Sequence, residues 1–83
     1  MSQEAIDELE QYLKDGGCIK KDCWLNAMQM QYDRSRDCFN LLDSVSTSTG
    51  ERILGVRESF EHLKDVPYAG KWLKCDEKGE LLE

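Results

Sequence analysis

"DCWLNAMQMQYDRSRDCFNLLD", residues 22–43, is the stretch on which the fold turns. Leu25, Met28, Tyr32, Ser35, Phe39 and Leu42 follow a 3-4-3-4-3 spacing, the stripe of one helical face. Cys38, Leu41 and Val45 widen the stripe toward its end, and Asp22 can act as an N-cap. Read this way, the stretch is a helix of about 22 residues, about 33 Å long. Its middle, "DRSRD" at 33–37, has no apolar residue, and Asp33 with Asp37 is a like-charge pair at i, i+4. Asp33–Arg36 and Arg34–Asp37 at i, i+3 offset that repulsion, so the segment is read as a solvated turn of a continuous helix.

On the N-terminal side, "SQEAIDELEQYLKDGG" places Ala5, Ile6, Leu9, Tyr12 and Leu13 on one helical face. Ser2 is a natural N-cap, Lys14 lies in the last turn, and Gly16 supplies a left-handed stop. The spacing predicts a helix over 3–15. "GGCIKKDCW" (16–24) then reads as a Gly-terminated loop and a helix start. On the C-terminal side, "SVSTSTG" (44–50) reads as a linker, and Ser48 with Glu51 has capping-box spacing for a third helix. Ile53, Val56, Phe60 and Leu63 form its stripe, Gly55 weakens it, and Pro67 ends it near Asp65. In the tail, Trp72–Cys75 and Glu80–Leu82 flank "DEKG" (76–79), which suits a turn with Gly79 left-handed. A short helix over 67–75, begun by Pro67, is the competing reading. The expected fold is mainly α: residues 1–83 as a single small helical domain of three helices, the central one long, with a small C-terminal β-hairpin.

Net charge is −6, and residues 1–15 carry five acids (Glu4, Asp7, Glu8, Glu10, Asp15) against Lys14. Such a chain repels phosphate backbones, so direct nucleic-acid binding is not expected. No run approaches the length of a membrane span. The acidic start is unlike a signal or transit peptide, and a cytoplasmic address is expected.

The four cysteines are Cys18, Cys23, Cys38 and Cys75, spaced C-x4-C, C-x14-C and C-x36-C. Cys18 and Cys23 form the one close pair, so they are the redox or metal candidates, with a small zinc-binding module as one alternative. No second knuckle accompanies them, and no metal or other cofactor is expected. Cys18, in the loop ahead of Lys20 and Lys21, reads as the most exposed thiol, with its pKa lowered by those lysines. The other cysteines read as buried free thiols. "CW" at 23–24, "RDCF" at 36–39 and "RESF" at 57–60 resemble segments of the twin-cysteine helical-hairpin proteins of the mitochondrial intermembrane space. That resemblance implies a disulfide-bonded helical protein associated with a respiratory complex. The spacing departs from that family's C-x9-C repeat and the third helix carries no cysteine, so it stands only as an alternative.

Catalytic apparatus is not legible. His62 is the only histidine, and no GxSxG, P-loop or GxGxxG is present. The expected protein is a small acidic non-enzymatic regulator or adaptor that works by protein–protein binding. Helix 1 is too short to cover the long helix, which leaves Trp24, Tyr32, Phe39 and Leu42 as an aromatic and apolar partner face, for another protein or for a homodimer. Glu4, Asp7 and Glu8 would steer a basic partner, including the basic surface of a nucleic-acid-binding protein.

Overall fold

A computed structural model of the chain describes residues 2–24 and 28–82. It contains one helix, α1 (Gln3–Lys14), and five strands: β1 (Cys18–Lys21), β2 (Gln29–Asp33), β3 (Cys38–Ser46), β4 (Arg52–Phe60) and β5 (Trp72–Cys75). A 3-10 turn covers Leu63–Asp65. The strands form one antiparallel sheet in the order β4-β3-β2-β1-β5.

The mainly α, three-helix expectation is therefore overturned. The helix expected at 3–15 is present as α1. The Ser2 hydroxyl accepts the Ala5 N–H at 3.2 Å, and Gly16 turns the chain away at φ 102°. The long central helix is not. Its segment is the β2–β3 hairpin, and "DRSRD" is the turn between the strands rather than a solvated helical face. Asp33 Oδ1 accepts from Ser35 N (3.0 Å), Ser35 Oγ (2.7 Å) and Arg36 N (3.3 Å), and Asp37 takes a left-handed φ of 50°. A carboxylate that collects the turn's own donors competes directly with helical hydrogen bonding. Leu25 of the supposed stripe lies outside the described residues. The third helix is strand β4. Thr47, whose N–H donates to the Glu51 carbonyl at 2.8 Å, and Gly50, at φ 86°, close a hairpin where a linker and a capping box were expected. The "helical" description fails with these two segments, and so does the antiparallel helix pair that the twin-cysteine resemblance implies. Residues 72–75 are a strand rather than a short helix. Beyond it Gly79 is left-handed at φ 84°, and Cys75 bridges to Leu81.

Strand register sorts the side chains. Ile19 pairs with Met30, Met30 with Leu41, Tyr32 with Phe39, and Phe39 with Phe60, which puts all of them on one face of the sheet. Leu13, Ile19, Met30, Phe39, Leu41, Leu63, Val66 and Trp24 form the core there, and Ile6, Leu9 and Tyr12 of α1 pack against it. The opposite face carries Cys18, Lys20, Gln29, Asn40 and Cys75, all buried. The C-terminal turn lies across that face. The Lys20 ammonium donates to the Gly79 carbonyl at 3.1 Å, and the Gln29 amide donates to the Glu77 carbonyl at 2.7 Å. Among the described residues, then, one half of the sheet is covered on both sides.

Candidate protein-binding site

The other half is not covered. Beyond Leu41 the β3–β4 hairpin runs on as an arm. Val45, Ile53, Leu54 and Val56 are 43%, 49%, 37% and 54% exposed. Val45 opposes Ile53 on the α1 side, while Leu54 and Val56 oppose Ser44 and Leu42 on the other side. Apolar surface is thus presented on both faces of a two-stranded ribbon. Isolated large apolar residues at a surface need no account, but four together on an edge hairpin do.

β4 is also an edge strand, with nothing beyond it in the sheet among the described residues. Alternation from the Thr47–Glu51 hydrogen bond turns the polar groups of Ile53 and Gly55 toward β3 and those of Arg52, Leu54 and Val56 outward. A register shift at Leu41/Leu42, with Arg57 as the extra residue, limits this open ladder at its inner end. The Arg57 guanidinium folds back onto Asp43 at 3.2 Å. Gly55 is small because Val45 lies beside it: an added Cβ would stand 3.2 Å from Val45 Cγ2.

The residues expected to bind a partner are distributed differently. Trp24 is buried, with Tyr68 and Trp72 edge-on to it at 5.5 and 5.7 Å. Phe39 is buried, and Tyr32 packs on it at 5.5 Å while donating its hydroxyl to Asp37 at 2.6 Å. These three belong to the core and its rim. Leu42 is half-buried at the root of the arm. Glu4, Asp7 and Glu8 are exposed on α1, so the acidic face is presented to solvent away from the aromatic residues it was expected to accompany. Val45, Ile53, Leu54 and Val56 were not singled out as binding residues. Their signal was β-branched residues on either side of "TSTG", which reads as a hairpin turn.

Cys18 and Cys23 lie at opposite ends of β1. Cys18 is buried and Cys23 exposed, the reverse of the exposure expected. Nor do the neighbouring lysines depress the Cys18 pKa: burial raises it, with Glu77 and Asp76 adding to the effect. Lys20 is engaged with Gly79, and the Lys21 ammonium sits over the Trp72 ring at 4.1 Å and donates to the Gly70 carbonyl. Among the described residues no group of three or more His, Cys, Asp or Glu is placed to hold a metal ion.

An open groove of about 590 Å3 lies between the end of α1 and the β2–β3 turn, lined by Glu10, Lys14, Arg36, Phe60 and His62 among others. Glu10 Oε2 accepts the Leu63 N–H at 3.0 Å and lies 4.0 Å from His62 Nδ1. The Cys38 thiol, which borders the groove, donates instead to Asn40 Oδ1 at 3.4 Å. The Ser59 hydroxyl, also in the lining, donates to the same Asn40 Oδ1 at 2.7 Å. No helix among the described residues is long and apolar enough to cross a membrane.

The chain matches no protein-family model, and comparison with curated proteins and with solved structures returns no similar protein.

Proposed function

We propose that this is a non-enzymatic, cytoplasmic protein that works by binding another polypeptide chain through strand addition at the β4 edge. The observation that carries this reading is the exposure of Val45, Ile53, Leu54 and Val56 on a hairpin whose outer edge is unpaired. Main-chain hydrogen bonds along such an edge supply affinity, and side chains at alternate positions supply selectivity. Edges are guarded by short length, proline, charged side chains or a bulge. In β4 the charges and the bulge lie at its ends, and the stretch 53–56, "ILGV", carries neither charge nor proline.

The occupant that fits is a second copy of the chain. Centre an antiparallel β4–β4 pair on Leu54, whose polar groups point outward. Arg52 then faces Val56 and Ile53 faces Gly55 on either side of the central pair, and the seam ends before the bulge at Arg57. Leu54 and Val56 of the two copies become neighbours on one face and extend the strip that begins at Leu42. A strand pair of this length buries less than about 1,200 Å2, the size of a transient interface. The net charge of −6 per chain opposes the association, so added salt strengthens it.

Light scattering and sedimentation over a concentration series test the reading. The native chain is expected to dimerise at micromolar or higher concentration, more readily in high salt, and Leu54→Lys with Val56→Lys is expected to stay monomeric while keeping its β-sheet circular dichroism. A chain that stays monomeric at millimolar concentration, or a lysine variant that still dimerises, would overturn this use of the edge.

A further inference from the structure

We infer that Cys18 and Cys75 form a reversible oxidation site, at which a disulfide closes across strands β1 and β5. The two residues are direct partners in the antiparallel ladder, so their side chains share a face of the sheet. The Asp22 N–H donates to the Lys71 carbonyl at 2.9 Å. Counting in from that bond, Lys20–Leu73 and then Cys18–Cys75 fall on hydrogen-bonded pairs of the ladder. Residues so paired have Cα atoms ~5.5 Å apart, inside the ~4.4–6.8 Å that a disulfide spans. Hydrogen-bonded pairs hold their Cβ atoms near the wide end of the cross-strand range, ~5.5 Å, so closing the bridge draws them together by about 1.7 Å and leaves it readily reducible.

The other two thiols are no rivals. Cys38 lies on β3, two strands across from β1 and two residues along from Asn40, which is level with Cys18, so it is about 12 Å away. Cys23 lies past the far end of β1 and donates to the Ala69 carbonyl at 3.3 Å. Cys18 and Cys75 are 7% and 1% exposed, and the covering turn brings Asp76 and Glu77 close to them. Burial, together with Cys18 itself, pushes the Cys75 thiol up to about 11. The pair therefore reacts slowly and only when the turn lifts, which sets it apart from an exposed sensor thiol.

With a small-molecule disulfide as oxidant, the chemistry balances in two exchanges. Cys18, the less buried thiol, loses its proton, and its sulfur attacks one sulfur of the oxidant, expelling one thiolate. Cys75 loses its proton and attacks the Cys18 sulfur of the mixed disulfide, expelling the second thiolate. The protein loses two electrons and two protons, and the oxidant becomes two thiols. The new bond encloses β2, β3 and β4 and ties down β5, the edge opposite the arm.

The test uses the full chain, dilute and folded, incubated with oxidised glutathione and digested with trypsin after alkylation. Peptides 15–20 (DGGCIK) and 75–78 (CDEK) are expected as one linked species that dithiothreitol separates. The oxidised chain is expected to melt about 10 °C or more above the reduced one. The Cys23→Ser/Cys38→Ser variant, which retains only this pair, should behave like the native chain, while Cys75→Ser should give neither the linked species nor the rise. Independent alkylation of Cys18 and Cys75, two separate glutathione adducts, or a link through Cys23 or between two chains would each overturn the assignment.

Discussion

The two ends of this sheet are built from similar strands and treated in opposite ways. At the β1–β2–β5 end, α1 covers one face and the C-terminal turn the other, and Ile19, Met30 and Gln29 are fully buried. At the β3–β4 end no element among the described residues lies over the arm, and four large apolar side chains face solvent, against Leu81 and Leu82 beyond β5 at the other end. Hydrophobic burial scales with apolar area removed from water, so the covered end supplies most of the stability. The arm contributes little and is free to be used for something else. The comparison teaches that an acidic chain of this size can carry an exposed acidic helix, with Glu4, Asp7 and Glu8, while leaving Val45, Ile53, Leu54 and Val56 exposed on a hairpin.

The largest expected effect lies in the covered half. Leu41→Ala removes a side chain that is 0% exposed and is expected to cost about 2–5 kcal/mol, read from the urea midpoint. Val56→Ala at 54% exposure should change stability by less than about 0.5 kcal/mol. Similar losses at both sites would break the comparison.

Next in size is Gly70→Ala. Gly70 has φ 110°, and an added Cβ would collide with the Asp22 carboxylate that accepts the Lys71 N–H at 3.2 Å. A loss of about 1–3 kcal/mol is expected. Gly50→Ala, also left-handed at φ 86° but with open space around it, should lose less, about 1 kcal/mol. That difference sharpens the contrast between a packed end and an open one.

Two pH dependences come after these. Cys75 has its folded pKa raised to about 11. Its contribution is therefore complete below the ordinary thiol value near 8.5 and is lost as pH rises through the folded value. Alkaline titration of the reduced chain should weaken the β1–β5 end, and Cys75→Ser should reduce that dependence, leaving the smaller part that the raised Cys18 thiol supplies. The smaller effect belongs to Asp33, whose pKa is lowered chiefly by its hydrogen bond from Ser35. Its contribution is present above the ordinary aspartate value of about 3.9 and is lost as pH falls through the depressed one. Asp33→Asn should flatten the acid limb without moving the alkaline one.

The parts of the fold legible in the chain were those with local punctuation. Ser2, Lys14 and Gly16 marked α1, and "DEKG" with Gly79 marked the C-terminal turn. The middle misled because two periods coincide there. Met28, Tyr32, Phe39 and Leu42 satisfy a helical spacing, yet Met30 and Tyr32, then Phe39 and Leu41, alternate by two on either side of a turn. The decisive clue was Asp33 followed by Ser35, a side chain and donor pair that closes a turn. The arm was harder still. Because Val45 and Ile53 lie on one face and Leu54 and Val56 on the other, no alternation of apolar with polar marks it as a strand. The structural feature that makes the arm a binding candidate is the same one that hid it.

Amide hydrogen exchange along β4, followed at two protein concentrations, tests the central claim most directly. The Ile53 and Gly55 amides, which face β3, should be protected at both concentrations. The outward amides of Arg52, Leu54 and Val56 should exchange freely in dilute solution and slow at least about tenfold when the chain is concentrated. Outward amides that stay fast at every concentration, or that are already protected in the dilute monomer, would contradict the account.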